Sequence, residues 1–277
     1  MIDLHSHTTA SDGQHPPAEL VRLAREAGVT QLAVTDHDTV DGLAAAMEAG
    51  RAAGVEIIAG IELSAMLFGR EVHVLGHFID PANAALAGLS RALMVERRTR
   101  MEQMVARLVA IGVPVTLAEV ERFSGGENLG RPHLARALVE RGWVADVKQA
   151  FDRFIGKGCP GFVERSELPA ARAIALIHGA GGTATLAHPG VSKVVAHEVA
   201  ELRAAGLDGL EAHHSDHNPS VRAKFLALAA THDLVATAGS DFHGEAVAPN
   251  RKLGSASMPA ENFAELRQRA SARRSAP

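Results

Sequence analysis

The stretch MIDLHSHTTASDG (residues 1–13) places two histidines one residue apart and an aspartate five residues further on. If its first half is a strand, alternate side chains share a face, so His5 and His7 point together while Leu4 and Ser6 point away. Two imidazoles side by side suit a shared metal ion. His-x-His also arises by chance in a chain with 15 histidines, so the remaining sequence has to decide.

Working outward, short runs rich in Val, Ile and Leu alternate with Ala-rich helical stretches. A helix is expected over about residues 16–28, a strand in QLAVTDHD (31–38), a helix in GLAAAMEAGRAAG (42–54) and a strand in VEIIAG (55–60). FGRE (68–71) reads as the turn of a hairpin joining IELSAML to VHVLGHF. Three more strand-like runs follow in GGTATLAHPG (181–190), GLDGLEAHH (206–214) and LVATAGSD (234–241). Repeated βα units fit either a closed barrel or an open sheet. Ligand-type residues at nearly every strand end need those ends to converge, which favours a barrel-like α/β fold.

The rhythm breaks over residues 99–165, where helices are expected without strands. In RMEQMVARLVAIG (100–112) the apolar stripe Met101, Met104, Val105, Leu108 and Ile111 stops at Gly112, and Thr116 with Glu119 offers a capping box. This division gives a catalytic barrel of residues 1–98 and 166–277, with 99–165 as a helical insertion capping it. The tail ASARRSAP (270–277) lacks a core pattern and is expected to be disordered.

Composition bounds the function. With 47% hydrophobic residues in 277, the chain can bury a large core. A net charge of −4 argues against coating long duplex nucleic acid but leaves room for a basic phosphate pocket. One cysteine excludes an intrachain disulfide framework, no apolar run reaches membrane-spanning length, and no leader-like start is read, so a cytoplasmic setting is expected.

Nine ligand-type residues sit at the expected strand ends: His5, His7, Asp12, His37, Glu62, His73, His188, Asp241 and His243. Six imidazoles and three carboxylates exceed the four ligands one zinc ion needs, so two or three divalent ions are expected. The mixture suits Mn, with Fe or Zn as alternatives, better than Mg, and Glu62 or Asp241 could bridge ions.

The blocks DLHSHTTASDG, AVTDHDT, GIE, VHVLG, LAHPG and SDFH, running in order from the first strand to residue 243, resemble those of the PHP (polymerase and histidinol phosphatase) family of metal-dependent phosphoesterases. The resemblance implies a distorted (β/α)7, TIM-like barrel with up to three metals. It would put His5, His7, Glu62 and Asp241 on one ion, Glu62, His73 and His188 on a second, and Asp12, His37 and His243 on a third. Histidinol-phosphate phosphatases of the family often carry histidine where this chain has Asp12, which weakens that substrate. The inserted helices and NLGRPHLARALVERG (128–142) instead resemble the branch of nucleoside 3′,5′-bisphosphate phosphatases and 5′–3′ exoribonucleases acting on short RNAs.

In that block Arg131 suits a bidentate phosphate clamp, Pro132 the first helical turn, and His133 a position where backbone donors favour an anion. Lys157, Arg165 and His214 are weaker candidates for substrate contact, and His213 and His217 lie close to where the site is expected. The expected reaction is release of the 3′-phosphate from a small nucleotide such as adenosine 3′,5′-bisphosphate. A metal-bound hydroxide would attack, and Asp241 would serve as proton acceptor. Rival readings remain open: a 5′–3′ exoribonuclease, a histidinol-phosphate-type phosphatase, a metal-dependent amidohydrolase and a non-catalytic PHP module. Cys159 in CPGFVERS and Asp36 in DHDTV supply covalent alternatives; in the first a proline removes a backbone donor and a glutamate would repel phosphate, and the second leaves the other ligand-type residues unexplained.

Overall fold

The computed structural model describes residues 1–124, 128–164 and 168–275. Seven strands form one sheet in sequence order: β1 (Ile2–Asp3), β2 (Gln31–Val34), β3 (Glu56–Leu67), β4 (Arg70–His77), β5 (Thr183–Leu186), β6 (Gly209–His214) and β7 (Val235–Gly239). Backbone hydrogen bonds carry the first strand region onto the last, from Leu4 N to Ala238 O at 3.0 Å and from Asp241 N to His5 O at 2.9 Å. The sheet thereby curls into a nearly closed barrel. Its distortion has one source: β4 runs antiparallel to both neighbours, because the tight turn at Phe68 and Gly69 returns it alongside β3 without a crossover helix.

Helices α1 (Pro17–Glu26) and α2 (Leu43–Ala53) follow the first two strands. Each turns its apolar stripe inward, as Leu20, Val21 and Ala24 of α1 show. Helix α3 (Ala84–Ala110) is continuous and joins two cores. Its first half buries Leu86 and Leu93 with the barrel; its second half buries Met101, Met104 and Leu108 in a separate cluster extending to Val163. The division expected at residue 98/99 therefore falls inside one helix. That second cluster also takes in α4 (Leu117–Glu121), α5 (Arg131–Glu140), α6 (Val147–Ala150) and the π-helical turn Phe151–Ile155. Thr116 and Glu119 form the capping box at the start of α4. The other limit, residue 166, and Arg165 lie outside the described residues.

Beyond the insertion, α7 (Ala170–Gly179), α8 (Ala196–Ala204) and α9 (Pro219–Thr231) alternate with β5, β6 and β7, and α10 (Ala260–Arg274) closes the chain. The expected disorder after Arg269 is corrected: α10 runs on to Arg274. It is held there by Ala270 in the core, by Arg273 on Gly182 O and Asp208, and by Arg274 on Gly181 O. These contacts are mostly polar, so no apolar pattern announces them. No helix among the described residues is long and apolar enough to cross a membrane.

The barrel mouth is closely packed where β7 passes the first histidine. A Cβ on Gly239 would lie 2.2 Å from the His5 Cβ and 2.4 Å from Glu211 Oε1. Overpacking of this kind costs about 1–3 kcal/mol. Gly239→Ala is therefore expected to lower the thermal midpoint by roughly 3–10 °C, read by circular dichroism; an unchanged midpoint would contradict this packing.

Candidate metal centre

The strand ends turn sharply into the mouth. Asp38, His188 and Asp241, just beyond β2, β5 and β7, adopt positive φ values of 56°, 28° and 53°. Left-handed backbone at non-glycine residues is strained and is retained where surrounding structure fixes it. Here the turns aim side chains from separate strands at one point.

Glu62 on β3 is that point, wholly buried. Its Oε2 lies 3.1 Å from His5 Nε2, 3.2 Å from His7 Nε2 and 3.1 Å from His37 Nδ1. Its Oε1 lies 2.8 Å from His73 Nδ1 and 3.1 Å from His188 Nε2. One carboxylate thus faces five imidazoles, three on one oxygen and two on the other. Asp241 Oδ1 joins the first group at 3.3 Å from both His5 Nε2 and His7 Nε2, which are themselves 3.1 Å apart. Asp12 stands on the far side of His7, with Oδ1 3.3 Å from His243 Nε2 and 3.9 Å from His7 Nδ1, and Oδ2 3.8 Å from His37 Nε2.

Three groups emerge in which donor atoms lie within 4.8 Å of one another: His5, His7, Glu62 and Asp241; His7, Asp12, His37 and His243; and His37, Glu62 and His73. The first is the expected quartet. The second adds His7 to the expected trio. The third holds His37 where His188 was expected, although His188 remains on Glu62 Oε1.

Tautomers bear on whether these groups fit metal. The Nδ1 of His243 is 2.9 Å from the Asp241 carbonyl, which only accepts, so this nitrogen carries the proton. The Nδ1 of His5 donates to Glu211 Oε1 at 3.0 Å. In its neutral form each ring would turn an Nε2 lone pair toward a carboxylate oxygen, an arrangement that repels unless a proton or cation lies between. In the first group the separations of 3.1–3.3 Å are close to the edges, ~3.3 Å, of a tetrahedron whose corners lie ~2.0 Å from a shared centre. The donor set and its spacing fit a metal ion.

Ionisation is correspondingly divided. Burial lowers the His7 pKa, yet hydrogen bonds to Asp241 and Glu62 bring it up to about 9; burial likewise lowers the His73 pKa, and Glu62 and Glu71 lift it to about 10. His37 goes the other way, pushed by burial down to about 3 despite Glu62 and Asp12.

The surroundings explain which residues act and which support. Asp241 Oδ2 is occupied by Arg251 and by His214 Nε2 at 3.3 Å. Burial raises the Asp241 pKa, but His5, Arg251 and His243 more than reverse this and hold it well below the usual carboxylate range. Such a carboxylate suits a ligand better than a proton acceptor, which weighs against the base role expected for it. His214, expected as a weak substrate contact, is wholly buried behind Asp241, its Nδ1 accepting from Asp216 N and its Nε2 3.3 Å from Asp241 Oδ2, a placement that suits positioning Asp241. His217 is likewise committed, Nδ1 to Ala212 O and Nε2 to Gly190 N.

Asp36 accepts from Thr8 N, Thr8 Oγ1 and Ser11 Oγ, which ties the loop carrying Asp12 and leaves a poor nucleophile. The Cys159 thiol donates to the carbonyls of Phe151 and Asp152 in the insertion.

A cavity of about 120 Å³ opens from Asp12, His37 and His73 toward Arg97, Arg100 and Arg131. Arg97 is spent on buried Asp38 and on Ser64. Arg131 pairs with Glu71 at 2.9 Å and lies over the rings of Phe151 and Phe162. Lys157 lies at the outer edge of an adjoining cavity with Arg100 and Arg131, largely exposed and 3.6 Å from Glu164. His133 is turned inward: its Nδ1 accepts from Gly130 N at 3.1 Å, and burial lowers its pKa to about 4.

Sequence reasoning missed Glu211. From β6 it accepts a hydrogen bond from His5 Nδ1, and its second oxygen accepts from His188 N at 2.6 Å, so one buried carboxylate ties together His5 and His188 from two strands. Its only signal was a charge in the middle of an apolar strand, GLEAHH. Arg251, in a loop without periodicity, left none.

A PHP domain is matched over residues 3–109. The chain is 36% identical over 247 residues to the 3′,5′-nucleoside bisphosphate phosphatase of Chromobacterium violaceum, covering 87% of each. It is 37% identical over 250 residues to a 5′–3′ exoribonuclease of Escherichia coli, covering 88% of this chain and 85% of that protein. A crystal structure from Bifidobacterium adolescentis, provisionally described as a metal-dependent phosphoesterase, superposes with a TM-score of 0.89 at 32% identity, covering 96% of this chain and 95% of the other.

Loss of a carboxylate that orients a metal-bound histidine typically costs 10–100-fold in metal affinity. Glu211→Gln is expected to weaken Mn²⁺ binding by about that factor in a calorimetric titration, with the circular dichroism spectrum unchanged. Wild-type affinity in the variant would contradict the orienting role.

Proposed function

The chain belongs to the PHP family of metal-dependent phosphoesterases, and on that premise we propose that it removes the 3′-phosphate of nucleoside 3′,5′-bisphosphates. Adenosine 3′,5′-bisphosphate would yield the 5′-monophosphate and inorganic phosphate. The observation that carries this reading is the adjacency of two anion sites of different kinds: the imidazole–carboxylate cluster around Glu62, and the arginine-lined cavity that opens from it toward Arg131.

In this reading His5, His7, Glu62 and Asp241 hold one ion. Glu62 and His73 hold a second with His188 or His37, and Asp12, His37 and His243 hold a third. Mn²⁺ is the expected metal, with Fe or Zn as alternatives, since borderline ions accept imidazole and carboxylate together. Ions bound there would offset the charge of the phosphate and supply a nucleophile near neutral pH.

The protein's own groups do the rest. Arg131 sits at the start of α5, with Gly130 as N-cap and Pro132 in the first turn, so a second phosphate there meets a guanidinium and the positive end of a ten-residue helix. Glu71 holds that guanidinium in place and must share it with the incoming anion. Lys157 adds charge at the cavity rim. The 3′-phosphate is thereby placed on the cluster by binding energy gathered at the 5′-phosphate. The single cysteine suits a cytoplasmic setting.

Product analysis of Mn²⁺-loaded protein with adenosine 3′,5′-bisphosphate tests the assignment. Free phosphate with 5′-AMP remaining is expected; 3′-AMP as product, or no release, would overturn it. Arg131→Ala is expected to reduce kcat/KM on the bisphosphate by about 10–100-fold without changing bound metal. Equal turnover of 3′-AMP and the bisphosphate by wild-type protein would remove the case for a second anion site.

A further inference from the structure

The cavity between the cluster and Arg131 contains a carboxylate, which is the wrong charge for a phosphate pocket. Glu71 lies two residues before His73 on β4, so both side chains leave the same face of the strand. His73 Nδ1 turns to Glu62, while its Nε2 lies 3.7 Å from Glu71 Oε1. The other oxygen of Glu71 meets Arg131 at 2.9 Å. Apart from Asp12 in the cluster, Glu71 is the one carboxylate among the described residues that line this cavity, and it also lines the smaller cavity beyond Arg131.

A fixed negative charge here opposes any phosphate that approaches Arg131. Holding the guanidinium in place does not by itself account for it. Arg131 opens α5, and its guanidinium lies 5.5 Å from the centre of the Phe151 ring and 5.9 Å from that of Phe162, so two aromatic faces place it as well. Neither charge is deeply buried, since the side chains of Arg131 and Glu71 are 22% and 31% exposed. Solvent screens the pair, and an incoming phosphate can separate it. What Glu71 changes is therefore the strength of the clamp more than its position.

That strength matters because the reaction removes one of the two anions. A nucleoside 3′,5′-bisphosphate is gripped at two points, the cluster and Arg131, whereas the 5′-monophosphate left after hydrolysis keeps only the second. An interaction made equally with substrate and transition state lowers KM without raising kcat. Here the product shares that interaction too, so a guanidinium without its counter-charge would hold 5′-AMP as firmly as it helps the substrate. With Glu71 beside it, one-point binding is weak. Two-point binding still succeeds, because the second contact forms within a molecule already bound.

We infer that Glu71 is a specificity-determining residue that sets the grip of Arg131: it keeps the clamp partly neutralised, so that a 5′-phosphate tethered to a second phosphate on the cluster is held and a lone 5′-phosphate is let go. This rests on the reading that the 3′-phosphate lies at the Glu62 cluster and the 5′-phosphate at Arg131.

Steady-state kinetics at saturating Mn²⁺ on adenosine 3′,5′-bisphosphate, with 5′-AMP as inhibitor, separate this role from a purely structural one, because the two predict opposite signs. Glu71→Gln keeps the side chain's shape and removes its charge. It is expected to lower both KM and the inhibition constant of 5′-AMP by about 3–10-fold, the size of one partly screened charge interaction, with kcat no higher than in wild-type protein. Glu71→Asp retains the charge and is expected to stay closer to wild type in both constants. A rise in both constants in Glu71→Gln would mean that Glu71 serves to hold Arg131 in place, and unchanged constants would mean that its charge is not felt there. Either result overturns the inference and leaves the bisphosphatase reading standing. No release of phosphate from the bisphosphate by wild-type protein would overturn that reading and this inference with it.

Discussion

A fully buried carboxylate is costly unless its charge is met, and Glu62 meets its charge with five imidazoles from four separate segments of the chain. The barrel makes that meeting geometrically available. β1, β2 and β3 lie side by side and parallel, so His5, His7 and His37 reach Glu62 from the same end. The reversed β4 brings His73 back along β3, directly opposite Ser64 in the register. β5 then delivers His188 through a strained turn, and the pairing of the first strand region with the last brings Asp241 and His243 to close the ring. Remove the convergence and each of these groups is an ordinary surface histidine or an expensive buried one.

Around this centre a layer of groups fixes orientation. Glu211 and the Asp241 carbonyl decide which nitrogens of His5 and His243 carry protons, while Arg251 and His214 commit one oxygen of Asp241 so that only the other faces the cluster. Asp36 immobilises the loop that delivers Asp12, and Asp38 anchors Arg97 and Ser64 beneath the insertion. The insertion has its own hydrophobic core, which carries Arg131 to the cavity beside the cluster.

Much of this was legible because ligand-type residues and strand periodicity leave marks in a sequence. His5 with His7 and Asp241 with His243 show the two-residue spacing of one strand face, and the remaining ligand-type residues sit where apolar runs stop. What escaped notice does its work by shape or by polar contact. Glu211 looks like any charge in a strand until His5 is seen against it. Arg273 and Arg274 dock α10 through carbonyls and Asp208, which no hydrophobic pattern foretells. His214 sits in a run of histidines beside the site, yet burial turns it to the back of Asp241. The single span of α3 across two cores was hidden because its two apolar stripes serve different partners.

The central proposal is that Glu62, with imidazoles on both of its oxygens, would be shared between adjacent bound ions. It is tested most directly by loading the protein with Mn²⁺, removing the excess, and measuring stoichiometry together with the electron paramagnetic resonance spectrum. The account predicts more than one ion per chain and an exchange-coupled signal that gives way to isolated-ion resonances in Glu62→Gln. A single uncoupled ion per chain in the wild-type protein would contradict it.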